Sequence, residues 1–437
     1  MSSKKKAAVT KKEARSTLAP KLRFPGFREA AGWPQMRLID TADRSVRWSF
    51  IGGPFGSNLK SSDYVSDGVR IIQLQNIGDG EFFNEYQIFT TAQKADELLS
   101  NNIYPGEIIM SKMGDPVGRA CLIPNRHDRY VMCSDGIRLV VDEKKNAKYF
   151  IYSLINSPLF RAVVEKTATG STRKRIGLDE LKSLPMWLPK KSEQQKIAEC
   201  LSSVDELIAA QARKVDALKT HKKWLMQQLF PREGETQPRL RFPEFQNAEK
   251  WKLKPSGELF ANRKEVGEEG LPIYSVTVND GMVPRASLER NFYDIEDPAG
   301  NRKVHKGDIA YNMMRMWQGA QGVAPEDCMV SPAYVVLKPR GDVCSDFFAY
   351  LFNLPHSLRL LAVASRGLTK DRLRLYFDDF AKVTLCVPRK AEQQRISKCL
   401  NSLDALIAAE SKKLEVLKTH KKGMMQQLFP SPEAAEA

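Results

Sequence analysis

No run of about 18 apolar residues occurs in the 437-residue chain, which excludes a membrane-spanning helix. Met1-Ser-Ser-Lys-Lys-Lys is followed by no apolar stretch, so a secretory signal is not expected. The seven cysteines (Cys121, Cys133, Cys200, Cys328, Cys344, Cys386 and Cys399) are odd in number and far apart. That favours the reduced thiols of a cytoplasmic protein over a disulfide framework. No Cys-x-x-Cys pair and no His-Glu-x-x-His is present, so no metal site is legible. The Gly-Lys-Ser/Thr ending of a P-loop, the glycine fingerprint of a dinucleotide site and the Asn-Pro-Pro-aromatic motif of amino-methyltransferases are also missing. No carboxylate cluster reads as a metal nuclease; Asp205-Glu206 lies in a helical stretch and reads as solvated. The chain is expected to be non-catalytic on its own and to bind no cofactor.

What is abundant is positive charge. The formal net charge is +16 and the pI about 9.4, while 42% apolar residues are ample for a core. Such a balance points to a polyanionic partner, although surface Lys and Arg also occur in proteins that bind none. The length suggests two or three domains.

The chain also contains itself twice. Pro20-Lys-Leu-Arg-Phe-Pro-Gly-Phe27 and Trp33 return as Pro238-Arg-Leu-Arg-Phe-Pro-Glu-Phe245 and Trp251. Pro189-Lys-Lys-Ser-Glu-Gln-Gln-Lys-Ile197 returns as Pro388-Arg-Lys-Ala-Glu-Gln-Gln-Arg-Ile396, and Met226-Gln-Gln-Leu-Phe-Pro231 as Met425-Gln-Gln-Leu-Phe-Pro430. A weaker echo aligns Asn156-x-Pro158 with Asn353-x-Pro355. Elsewhere the halves differ, as two bodies doing one kind of job on different targets would.

Residues 193–229 hold no Gly or Pro, and apolar residues recur at heptad spacing: Ile197, Leu201, Val204, Ile208, Val215, Leu218, Leu225 and Leu229. The second copy gives Ile396, Leu400, Leu403, Ile407, Leu414, Leu417, Met424 and Leu428. Polar gaps fall at the same places, Gln211 with Lys222 and Glu410 with Lys421. Prolines bound both stretches, and Ser192 with Gln195 is the expected capping box of the first. Two helices of about 34 residues pairing antiparallel would make a rod of about 50 Å. The alternative is that each helix packs only on its own body.

Between these segments, short strands and helices (near 146–166 and 345–363) predict two α/β bodies. Three loop types are rich in hydrogen-bond donors. Gly52-Gly-Pro-Phe-Gly-Ser-Asn-Leu-Lys60 offers Ser57, Asn58 and Lys60; Ser111-Lys-Met-Gly-Asp-Pro-Val-Gly-Arg119 offers Lys112 and Arg119. At the second loop's place in body two stands Asn312-Met-Met-Arg-Met-Trp-Gln-Gly319, with Asn312, Arg315, Trp317 and Gln318. Arg, Gln and Asn can pair with base edges, and Trp or Met can wedge or stack, unless these Met side chains merely fill the core. The third type is Gly170-Ser-Thr172-Arg173-Lys174-Arg175, matched by Gly367-Leu-Thr-Lys370-Asp-Arg372-Leu-Arg374, suited to phosphates or simply a surface turn.

The repeated Pro-x-Leu-Arg-Phe-Pro-x-Phe…Trp openings, Gly-Pro-Phe-Gly-Ser-x-Leu-Lys, and the Glu-Gln-x-x-Ile…Gln-Gln-Leu-Phe helices resemble the specificity subunit of type I restriction–modification systems. The resemblance covers about residues 20–430. It implies two α/β target recognition domains separated by two long helices that pair as an antiparallel coiled coil, an internal repeat with pseudo-two-fold symmetry. The boundaries follow: a basic disordered tail 1–19, target recognition domains 20–190 and 232–389, spacer helices 191–231 and 390–430, and a tail 431–437. It implies double-stranded DNA as ligand, read as a bipartite asymmetric target. It also implies two modification subunits that bind S-adenosylmethionine and methylate adenine, and restriction–translocase subunits that use ATP and Mg. A rival of another class is a coiled-coil scaffold whose bodies bind peptides or glycans. A self-sufficient nuclease is disfavoured by the missing motifs.

Overall fold

A computed structural model describes residues 17–171, 173–288, 298–369 and 372–431. The chain forms two compact units, residues 1–211 with 413–437 and residues 212–412. This division differs from the boundaries read in sequence because it cuts both long helices in the middle. Each unit thus holds one body, the first half of one helix and the second half of the other.

Unit 1 is built on an antiparallel sheet in the order Phe50–Gly52, Gly136–Leu139, Ile108–Ser111, Ala120–Leu122. Ile108, Met110, Ile137 and Leu139 face a core that includes Trp33, Phe150 and Phe160. Ile109 and Cys121 face a second core with Ile72, Ile103, Tyr130 and Met132 from a five-stranded sheet. Burial on both faces explains why these strands read as apolar runs without polar alternation. Unit 2 repeats the sheet as Phe260–Arg263, Tyr334–Pro339, Ile309–Asn312, Gln321–Val323. The helical stretch expected in each body is two helices, Lys148–Ile155 with Pro158–Thr167 and Ser345–Phe352 with Pro355–Ala364. The break falls where Asn-x-Pro removes an amide donor and restricts the residue before it.

The tail assigned to residues 1–19 begins its structure earlier than expected. Thr17 and Leu18 pair as a strand with Pro34 and Trp33, and Leu18 enters the core. Residues 1–16 and 432–437 lie outside the described residues.

The two repeated motifs are halves of one joint. In unit 1, Arg23 Nε and Nη2 donate to Glu193 Oε1 and Oε2 at 2.9 and 2.6 Å, and Trp33 Nε1 donates to Oε1 at 3.4 Å. In unit 2, Arg241 donates to Glu392 at 2.9 and 2.6 Å, and Trp251 at 3.2 Å. The neighbouring glutamines hold the chain before each helix: Gln194 Nε2 donates to the Pro189 carbonyl and Gln393 Nε2 to that of Pro388. Ser192 is not the expected cap, because the helix already begins at Lys191.

The long helices span Lys191–Leu229 and Lys390–Leu428, 39 residues each. Within each unit their halves run antiparallel. Ile197 and Leu201 share unit 1's core with Leu428 and Phe429; Ile396 and Leu400 share unit 2's core with Leu229 and Phe230. The seam ends are therefore body core as well as helix contact. Val204, Ile208, Leu218, Leu225, Leu403, Ile407 and Leu417 are half-buried, as expected where one neighbouring helix covers one side.

Three of the four polar gaps, Lys222, Glu410 and Lys421, are cross-helix bridges. Lys421 Nζ lies 2.6 Å from Asp205 Oδ1 in unit 1, and Lys222 Nζ 2.6 Å from Asp404 Oδ1 and Lys214 Nζ 2.6 Å from Glu410 Oε1 in unit 2. Asp205, read as solvated, in fact also accepts from the Tyr149 hydroxyl, and Tyr350 donates to Asp404 at 2.6 Å. Body, first helix and second helix meet on one carboxylate in each unit.

Glu392→Ala would strand the Arg241 guanidinium, whose side chain is only 11% exposed. Unit 2 should lose about 3–5 kcal/mol, the cost of breaking a buried pair from one side. Urea unfolding followed by tryptophan fluorescence checks it, and Glu249→Ala, at an exposed ion pair, is expected to cost below about 1 kcal/mol.

Candidate nucleic-acid interface

The sheets place the donor loops together. In unit 1 the last residues of Phe50–Gly52 and Ile108–Ser111 and the first of Gly136–Leu139 and Ala120–Leu122 lie at one end of an antiparallel sheet. The glycine loop, the 112–119 loop and the 133–135 turn all emerge there. Gly53 donates its N–H to Gly136 O at 2.7 Å, and a Cβ on Gly53 would meet Cys133 O at 1.7 Å, so glycine is required. The 169–175 hairpin joins them: Thr169 and Arg175 pair through both backbone bonds, and Gly114 N–H donates to Lys174 O at 3.1 Å.

Of the residues singled out in unit 1, Ser57, Asn58, Lys60 and Arg173 are exposed at this end, and Lys112 is half-buried with its backbone bonded to Asp135 and Ile176. Lys174 pairs with Glu165, and Arg175 with Asp135 at 2.9 Å. Arg119 faces inward instead. Its Nε and Nη2 donate to the carbonyls of Ile77 and Leu74 at 2.6 and 3.2 Å, so its role here is to brace the 74–77 turn. Thr172 lies outside the described residues.

Unit 2 assembles the same end from different residues. The 313–320 loop occupies the place of 112–119, and Leu375 N–H donates to Met313 O at 2.9 Å as Ile176 does to Lys112. Arg315 and Gln318 are exposed; Asn312 and Trp317 are half-buried. Asn312 Oδ1 accepts from Met314 N–H at 2.9 Å, and Trp317 Nε1 donates to Met314 O at 3.0 Å, so both shape the loop. Among the methionines, Met316 is core, Met313 packs against it, and Met314 is exposed. Arg372 and Arg374 are exposed on the hairpin that Arg366 and Arg374 close; Lys370 lies outside the described residues. Arg366, missed in the sequence, bonds Asp379 there, and that hydrogen bond holds the Asp379 carboxyl below its ordinary range. Its only signal was its place beside Gly367.

Exposed cations, amides and hydroxyls at one sheet end, in each unit, suit a polyanion whose edges also carry hydrogen-bonding groups. Among the described residues no group of His, Cys, Asp and Glu is set to hold a metal, and no single helix is long and apolar enough to cross a membrane.

The chain belongs to the family described by the type I restriction modification DNA specificity domain, whose model matches residues 71–220 and 248–419. It is 23% identical over 178 residues to the type I restriction enzyme MjaVIII specificity subunit of Methanocaldococcus jannaschii, covering 40% of this chain and 42% of that protein. It is 20% identical over 389 residues to the putative type I restriction enzyme MjaX specificity subunit of the same organism, covering 83% and 86%. The fold resembles the type I restriction–modification S subunit from M. genitalium, with TM-score 0.57, 16% identity, and 95% and 100% of the two chains covered. A chain from work on complex assembly and conformational transition of the type I R-M system gives TM-score 0.52 at 16% identity, covering 92% of this chain and 98% of that one.

Arg173→Ala and Arg119→Ala should separate surface from brace. The first is expected to leave stability within about 0.5 kcal/mol and to lower the slope of log K against log salt by about 1. The second should lower the unfolding free energy measured in urea by about 1–3 kcal/mol, since two carbonyls lose a charged donor.

Proposed function

We propose that this chain is the DNA-reading subunit of a type I restriction–modification complex, and that each unit reads one half of a bipartite, asymmetric target. The observation that carries the reading is the split between sameness and difference. The Arg–Trp–Glu joint and the Lys–Asp bridge between the helices recur residue for residue, whereas the loops at the sheet ends do not. A shared frame with unlike reading ends is what an asymmetric bipartite site needs.

In unit 1 the exposed donors are Ser57, Asn58, Lys60 and Arg173, with Lys112 beside them; in unit 2 they are Arg315, Gln318, Arg372 and Arg374, supported by Asn312 and Trp317. Arginine can bind guanine, and glutamine adenine, through paired hydrogen bonds in the major groove. Lys60, Arg173 and Arg372 serve phosphates, which position the protein without reading sequence. Two modification subunits would bind S-adenosylmethionine and methylate adenine, and restriction–translocase subunits would use ATP and Mg, so these cofactors would belong to the partners. The helices would set the separation of the half-sites, and the complex would act in the cytoplasm.

Arg315→Ala or Gln318→Ala should cost about 1–3 kcal/mol against one half-site only. Competition binding with duplexes altered in one half at a time checks it; equal loss on every sequence would mark the residue as a phosphate contact. A heptad inserted into one long helix alone should abolish methylation by the assembled complex, because the bridges to Asp205 and Asp404 fall out of step. Full methylation of the original target would count against a spacing role. Binding that stays flat over tenfold salt would instead favour a scaffold for uncharged ligands.

A further inference from the structure

Among the described residues, the most exposed large apolar side chain of each unit stands in solvent among the donors of its sheet end. In unit 1 it is Phe55, 82% exposed, between Gly53 and Gly56. In unit 2 it is Leu368, 102% exposed, just after Gly367 on the hairpin closed by Arg366 and Arg374. The two come from different loops, so sequence alignment of the halves does not pair them: Leu368 lies opposite Ser171.

A solvated basic turn has no use for such a residue, and Ser171 shows what ordinary turn chemistry supplies there. Exposed apolar surface is normally removed from water by a partner. The surroundings say which partner. Arg366, Arg372 and Arg374 flank Leu368, and Ser57, Asn58 and Lys60 follow Phe55. Both glycine-bounded backbones are held to the sheet end: Gly53 by Gly136, and the hairpin by the Leu375–Met313 bond. A projecting Phe or Leu with phosphate-binding groups beside it can enter a base step once those groups grip the backbone.

We propose that Phe55 and Leu368 are wedges, each partly unstacking one base step of the half-site its unit reads. The inference rests on the DNA-reading proposal above and adds a deformation to it. The wedges would make flexible pyrimidine–purine steps easier to bind, giving specificity at positions no side chain hydrogen-bonds.

The test uses the full chain assembled with its modification subunits and duplexes carrying the methylated target. 2-Aminopurine is scanned through both half-sites, leaving out the adenine that is methylated. Fluorescence should rise several-fold at one step in each half. Leu368→Ala should remove the rise in one half only and Phe55→Ala in the other, each weakening binding about tenfold. Leu368→Met should keep the signal. Unchanged thermal melting of these exposed-site variants shows that folding is not the cause. Tight binding with a flat scan, or a rise that survives both alanine variants, overturns the wedges and leaves the DNA reading standing. Absence of duplex binding by the unaltered complex overturns both.

Discussion

A carboxylate taken out of water at the start of each long helix organises everything else in its unit. Glu193 and Glu392 have side chains only 4% and 3% exposed. An ion buried so deeply is tolerated only with excellent partners. Here each accepts a bidentate arginine and an indole N–H, so two separate stretches of chain must arrive together: the opening motif, which supplies both donors, and the helix. Loss of either the arginine or the glutamate leaves a charge without its counter-charge. That is why these motifs are near-identical in the two halves. Loops that bury no charge are free to differ.

A second carboxylate lies further along each helix and does a related task. Asp205 and Asp404 receive a lysine from the facing helix and a phenol from the body. Burial, then the adjacent carboxylate, pushes both phenols far above their ordinary range, so they remain donors. The tyrosines are not equivalent in sequence. Aligning Asn156-x-Pro158 with Asn353-x-Pro355 sets Tyr149 against Asp346 and Tyr350 against Ser153. Residues 149 and 153 are four apart, hence on one helix face. The same contact is made one turn along, so the physical requirement outlived the particular position.

Much of this was legible because it is periodic or repeated. The heptad steps and the bounding prolines located both helices almost to the residue, and the shared gaps at Lys222 and Lys421 fall where the facing helices form ion pairs. What the pattern could not show was long-range chemistry. Nothing local says that Arg23 reaches Glu193, or that Asp205 is held by Lys421 and Tyr149, since both depend on partners far along the chain. Arg119 misled for a similar reason: a cation in a glycine-bearing loop looks like a surface donor until two inward carbonyls claim it. At the sheet ends, composition found the loops but not which side chains project. Phe55 and Leu368 sit in loops singled out for their polar donors, so nothing in the composition marked these apolar side chains as the ones that project.

Charge at those ends is arranged differently from what a net +16 suggests. Arg175, 54% exposed, is tied to Asp135, 19% exposed; Arg366, 66% exposed, is tied to Asp379, 14% exposed. The acid is the anchored partner and the guanidinium the outward one. Exposed pairs of this kind contribute little stability, so little is lost if a phosphate joins or replaces the carboxylate. Meanwhile the fork is already oriented, and less side-chain freedom remains to be lost on binding. Salt dependence should then follow the number of phosphates touched rather than the total charge, because counterions are released only where protein cations meet the backbone. The internal carboxylates also neutralise part of the positive field at a distance. Non-specific attraction is thereby weakened, while the contacts made on a matching site keep their strength.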